Sequence, residues 1–148
     1  MKILIKKMNH IIDDIYISDM KTAYNPTLIK IKIKTIISLS DFKLQTPCSI
    51  EKDHHYNFII KDRPQYSIIP FCKQIFKILQ VTEKPVLVHC HQGISRSVSV
   101  VLYYIMMKHN MTFYESYDFI RERRTIAHIN RGFFKQLLNY YTGHKKAP

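Results

Sequence analysis

The run His89-Cys90-His91-Gln92-Gly93-Ile94-Ser95-Arg96-Ser97 sets a thiol, a glycine, an arginine and two serine hydroxyls close together in the chain. It follows the apolar run Pro85-Val86-Leu87-Val88 and precedes a long apolar stretch, 97–108, so it reads as a loop joining a buried strand to a helix N-terminus. Junctions of this kind bind anions, because unpaired backbone N–H groups and the helix dipole both face the loop. Backbone donors from His91 to Arg96 can converge on one phosphate, with Gly93 taking a conformation that residues with side chains avoid. The same field favours thiolate over thiol, which makes Cys90 a nucleophile for phosphorus. Arg96 offers a planar fork that matches two phosphoryl oxygens, a task lysine performs poorly.

The elements that position this loop follow from hydrophobic periodicity. Ile15–Ser18 and Thr35–Leu39 read as short strands, and Asn57–Ile60 as a third that ends at Lys61-Asp62-Arg63-Pro64, where proline ends regular structure. Residues 67–79 carry apolar side chains at three- and four-residue intervals, the mark of an amphipathic helix. A strand, helix, strand connection of the right hand then predicts the 85–89 strand beside the 57–60 strand, in an α/β sheet. Thr112-Phe113-Tyr114-Glu115 is a capping box that opens a helix to about Arg124, and a last helix from near Asn130 is expected to end at Gly143 in a left-handed cap. Asn25-Pro26 suits a helix start, but Lys30-Ile31-Lys32-Ile33-Lys34 alternates like a strand beginning at Ile29. Residues 40–55 read as an irregular excursion with no chemistry of its own.

At 148 residues the chain fits one domain, 1–148, with 1–12 and 143–148 as flexible ends; a dimerisation helix is the alternative for 1–12. Cys48, Cys72 and Cys90 are odd in number and widely spaced, which argues against a disulfide scaffold and for a reducing compartment. Cys72 falls on the apolar helix face and reads as core. The first residues are too short an apolar stretch for a signal peptide, and no run approaches the ~18 apolar residues of a membrane span, so a cytoplasmic chain without stable membrane insertion is expected. The net charge of +12 favours anionic partners.

The pattern His-Cys, five residues, Arg, Ser, met at His89, Cys90, Arg96 and Ser97 with Gly93 and Ser95 also in place, resembles the signature loop of the dual specificity group of protein tyrosine phosphatases. The resemblance runs from about Ile15 to Tyr141 and suits a compact, atypical or viral-type member. It implies a single-domain protein tyrosine phosphatase-like α/β fold, with a central, mostly parallel sheet flanked by helices. It also implies that Cys90 forms a cysteinyl-phosphate, that Arg96 and the loop His91, Gln92, Gly93, Ile94 and Ser95 bind the phosphoryl group, and that Ser97 helps the thiolate depart. His89 and Asn130 would support the loop, and Arg124, at a helix end, would hold a second phosphate or an acidic flank. No metal or cofactor is implied. The required carboxylic acid is expected at Asp62 rather than Asp53, because the 57–60 strand leads into Asp62 and brings it to the sheet edge from which Cys90 emerges.

Phosphorylated proteins, bearing phosphotyrosine and phosphoserine or phosphothreonine, are the substrates the resemblance implies. RNA 5′-phosphates are the alternative that the positive charge would suit, although those relatives carry Asn-Arg-Thr where Ser95-Arg96-Ser97 stands. A phosphate-binding module without turnover is a second alternative. A lipid phosphatase is disfavoured by the absence of lysine from His91-Gln92-Gly93-Ile94.

Overall fold

The computed structural model describes residues 7–27, 29 and 31–144. Its centre is a five-stranded sheet in the order β1-β2-β5-β3-β4, with β1 Met8–Ile12, β2 Ile15–Ser18, β3 Thr35–Ser40, β4 His55–Ile59 and β5 Val86–His89. Only β1 runs antiparallel to its neighbour; β2, β5, β3 and β4 are mutually parallel. The fold is therefore the mostly parallel α/β sheet expected, with one correction. β5 inserts between β2 and β3 and does not lie beside β4. Its four residues are all buried, and a strand without a polar face belongs at the middle of a sheet.

Side chains alternate across the sheet. Ile15, Ile17, Ile37, Leu39, Val86 and Val88 face one core, which α2 (Ile69–Val81), α3 (Arg96–His109), α4 (Phe113–Arg123) and α5 (Arg131–His144) complete. Ile36 and Leu87 face a smaller core covered by α1 (Met20–Ala23) and the segment leading to β3. Ile29, Ile31 and Ile33 pack there from a chain with no strand ladder, and Lys32 and Lys34 stay exposed. The strand expected from Ile29 is thus an extended coil whose alternation records burial of one side; Lys30 lies outside the described residues.

Two chain ends also differ from expectation. Met8–Ile12 is neither frayed nor helical: it pairs with β2 through the turn Asp13-Asp14, both residues at positive φ (50° and 57°). Tyr104 Oη and His109 Nε2 bond Asp13 Oδ2 at 2.8 and 2.6 Å and hold that turn from α3. α5 runs through Gly143 to His144, so Gly143 is helical and not a left-handed cap. Met1–Lys6 and Lys145–Pro148 lie outside the described residues.

Candidate active site

Parallel strands end at one edge of the sheet, and β5 delivers the loop 90–95 there. Ser18, His89 and Ser38 are in register across β2, β5 and β3. His89 is fully buried; its Nδ1 donates to the Cys90 carbonyl at 3.1 Å, and its Nε2 lies 2.6 Å from Ser38 Oγ. A carbonyl only accepts, so the ring proton sits on Nδ1 and Nε2 accepts the Ser38 hydroxyl. The half-buried His55 Nε2, 2.8 Å away, then donates to that same Ser38 oxygen. Burial lowers the His89 pKa to about 4, which keeps this arrangement neutral.

Past His89 the chain turns. Cys90 Sγ lies 3.2 Å from the Gly93 nitrogen, which donates to it, and 3.2 Å from Ser97 Oγ in the first turn of α3. Gly93 has φ +69°, and a Cβ there would stand 2.6 Å from both Arg124 Nη2 and the Ser18 carbonyl oxygen. The turn needs glycine twice over, for its conformation and for room.

Arg96 is buried, its side chain 9% exposed, and Nη1 donates to Asp41 Oδ1 at 2.8 Å and to the Ile60 carbonyl at 2.9 Å. Its Nε is buried without a partner among the described residues. An unmet charged donor on a residue that lines the same cleft as Cys90 is what a phosphoryl oxygen would satisfy. Asp41 follows β3, inside the segment expected to carry no chemistry, and that expectation is corrected here.

The segment after α4 braces the loop from outside. Arg124 is 2% exposed; Nε donates to the Gly93 carbonyl at 2.7 Å, Nη2 to the Gln92 carbonyl at 3.2 Å and Nη1 to Asn9 Oδ1 at 2.8 Å. Its guanidinium is turned into the protein, under the loop, and does not face the cleft as a second phosphate site would require. The His128 nitrogen donates to the Ile94 carbonyl at 2.9 Å, and the Asn130 nitrogen to Ser95 Oγ at 3.0 Å.

Asp62 follows β4 at the same sheet edge, exposed, with Oδ1 accepting from Asn130 Nδ2 at 2.8 Å. Asn130 Oδ1 accepts from the Phe133 nitrogen at 2.8 Å, so one amide caps α5 and holds Asp62. α5 touches the Asp62 loop twice more. Gln136 bonds the Tyr66 carbonyl and the Ile68 nitrogen at 2.8 Å each, and Gly132 lets the Pro64 backbone approach where a Cβ would lie 1.8 Å from its oxygen. Asp53 sits in a 3-10 turn, Lys52–His54, before β4 and hence at the other end of that strand.

Asp62, Cys90, Ser95, Arg96 and Asn130 thus line one cleft of about 380 Å³, with His91, Gln92, Ile94 and His128 at its walls. Cys72 is buried in the core on α2, where burial raises its pKa, and Cys48 is exposed on the 41–50 segment. The residues that sequence reasoning passed over, Asp41, Ser38, Gln136 and Gly132, act through partners distant in the chain. Gly132, two residues after Asn130, was the one local signal, a glycine opening a helix.

Residues 15–143 match the family described as dual specificity phosphatase, catalytic domain. The chain belongs to that family. A probable rhodanese domain-containing dual specificity protein phosphatase of Dictyostelium discoideum is 31% identical over 132 residues, covering 86% of this chain and 27% of that protein. The tyrosine-protein phosphatase yvh1 of Schizosaccharomyces pombe is 31% identical over 138 residues, 90% of this chain and 41% of that protein. The chain therefore spans well under half the length of these two curated relatives. Among solved structures, the human tyrosine phosphatase-like serine/threonine/tyrosine-interacting protein superposes with TM-score 0.80 at 28% identity, covering 94% of this chain and 98% of that one. The dual specificity phosphatase fold is thus present in the described residues, and no helix among them is long and apolar enough to cross a membrane.

Proposed function

We propose that the chain hydrolyses phosphate monoesters on phosphorylated proteins, through a cysteinyl-phosphate at Cys90. The observation that carries this reading is the thiol sulfur, 3.2 Å from both the Gly93 nitrogen and the Ser97 hydroxyl, on a cleft lined by Arg96 and Asp62. In the first step the Cys90 thiolate bonds to phosphorus, the ester P–O bond breaks, and Asp62 gives its proton to the leaving oxygen. Arg96 and the loop nitrogens hold the equatorial oxygens, the buried Nε supplying one donor. In the second step water attacks phosphorus, the Asp62 carboxylate takes its proton, and the S–P bond breaks as the Ser97 hydroxyl donates to the departing thiolate. His89 and Asn130 act as positioning residues, the first on the loop backbone and the second on the acid. Such a nucleophile works only while reduced, which suits a cytoplasmic setting.

Phosphate release from doubly phosphorylated peptides and from 5′-triphosphorylated RNA, measured side by side with Cys90→Ser as control, tests this. Peptide turnover that is abolished in Cys90→Ser is expected. Asp62→Asn should lower kcat roughly 10²- to 10⁴-fold with a much smaller change in KM. Faster turnover of RNA than of any peptide would overturn the substrate class. Phosphopeptide binding without turnover by the parent would overturn the activity.

A further inference from the structure

The cleft does not end at Arg96. His91, exposed on the loop, also borders two further depressions. One, of about 360 Å³, has Met20, Phe42 and Arg96 in its walls; the next, of about 540 Å³ and chiefly apolar, has Met20, Tyr24 and Leu44. Arg96 is common to the cleft and the first depression, and Met20 to the first and second, so the three lie side by side as a track.

Contacts with residues outside the track hold its walls, Tyr24 and Leu44, in shape. Tyr24 Oη donates to the Gln45 carbonyl and ties the end of α1 to the 41–47 segment, while its ring meets His89 edge-on at 5.8 Å. Asn57 pins Leu44 by two hydrogen bonds of 3.1 Å, one to its nitrogen and one from its own amide to the Leu44 carbonyl. A preformed apolar surface binds without the entropy of ordering it, and Phe42, 64% exposed, is left without cover on the way in.

Charge selects the kind of occupant. Asp41 borders the first depression with its partner Arg96, and Asp19 the second with Lys21, so the charges along the track balance and offer a polyanionic backbone no excess of positive charge to follow. A polypeptide, neutral along its backbone, needs no such excess and carries side chains that fit an apolar hollow.

We propose that this track is a specificity subsite for a large apolar side chain, such as leucine, methionine or phenylalanine, near the phosphorylated residue of a protein substrate. The inference rests on the phosphatase reading above and adds which flanking sequence the site prefers. Three extended residues reach ~10 Å, so the apolar side chain belongs within a few positions of the phosphorylated one.

The test is a panel of phosphopeptides with leucine, phenylalanine or alanine at each of three positions on either side of the phosphoresidue, with a small aryl phosphate and 5′-triphosphorylated RNA alongside. For the parent, kcat/KM should rise at least about tenfold when the apolar residue occupies one favoured position, the usual scale for filling an apolar pocket. In Phe42→Ala and Leu44→Ala the ratio of apolar-flanked to alanine-flanked turnover should fall towards one. Aryl phosphate turnover with equal rates on all peptides overturns the subsite and leaves the phosphatase reading standing. A preference that survives both substitutions overturns its placement in this track. RNA turned over faster than every peptide overturns a peptide occupant, and absence of turnover on every substrate overturns the phosphatase reading and the subsite with it.

Discussion

Gly132→Ala should slow catalysis by displacing an acid that the substituted residue never touches. Gly132 lies in the first turn of α5, and a Cβ built there stands 1.8 Å from the Pro64 carbonyl oxygen and 2.4 Å from its carbonyl carbon and Cα. All three are backbone atoms, so no side chain can rotate to make room. A carbon and an oxygen in ordinary contact stay ~3.4 Å apart, and the two segments must separate by about 1.5 Å. α5 is anchored in the core by Phe133 and Leu137, both fully buried, whereas residues 61–65 are exposed. The loop is therefore the part that moves, and Asp62 is two residues from Pro64.

Misplacing a reacting group by ~1 Å costs on the order of 10²-fold in rate, so kcat for a phosphopeptide should fall by about that factor. The loss should shrink for an aryl phosphate whose leaving oxygen is weakly basic, because that step needs little help from an acid. Pro64 is not among the residues lining the cleft around Cys90, and alkylation of Cys90 by iodoacetamide should proceed at the parent rate. A double-mutant cycle with Asp62→Asn separates the mechanism from general damage: if Gly132 acts through Asp62, the double variant is no slower than Asp62→Asn alone. Parent-like kcat in a folded Gly132→Ala protein, or losses that multiply in the double variant, would refute the reasoning.

Arg124→Met keeps the aliphatic bulk but leaves the Gly93 and Gln92 carbonyls and Asn9 Oδ1 without their buried donor, so urea unfolding should report a loss of about 2 kcal/mol or more. Asn130→Asp retains the acceptor that caps α5 and turns the donor facing Asp62 into a second carboxylate; kcat should fall roughly tenfold while Tm moves little, and unchanged kcat would separate Asn130 from the acid. His89 has its pKa lowered from 6.5 to about 4, so between those values the unfolded chain binds a proton that the native state refuses. The stability this group contributes is complete above pH ~6.5 and is lost as pH falls to about 4, amounting to about 3 kcal/mol, and the difference between parent and His89→Asn in urea unfolding should vary with pH by that amount.

Legibility in the sequence followed contact distance. The β5, loop and α3 unit was readable because its signal is continuous: Val86-Leu87-Val88, then Cys90, Gly93 and Arg96, then an apolar helix. The Thr112 and Glu115 capping box was readable for the same reason, since both hydrogen bonds close within one turn. The order of strands was not, because any of several neighbours satisfies a buried run, and only packing of the whole sheet places β5 between β2 and β3. β1 was hidden by a turn made of Asp13 and Asp14, residue types that tolerate positive φ without announcing it as glycine would. Arg124 shows the limit most clearly. An arginine at a helix end next to a phosphate loop is read naturally as a substrate contact, and its burial against Gly93, Gln92 and Asn9 depends on chain segments more than thirty residues away.

The excess of positive charge bears on how a substrate is chosen. The chain has 23 lysines and arginines against 11 acidic residues, yet no lysine lines the cleft among the described residues. There Arg96 is matched by Asp41, Asp62 stands opposite, and Arg124 is spent inside the protein on backbone carbonyls. The exposed lysines, Lys32, Lys34, Lys73 and Lys77 among them, sit elsewhere on the surface. Charges so dispersed act through a field that salt screens over ~10 Å, which speeds encounter with any anionic surface without distinguishing one phosphoester from the next. In the proposed reading, discrimination is left to short-range contacts: the loop nitrogens and Arg96 for the phosphoryl group, and the apolar track past Phe42 for the residues beside it.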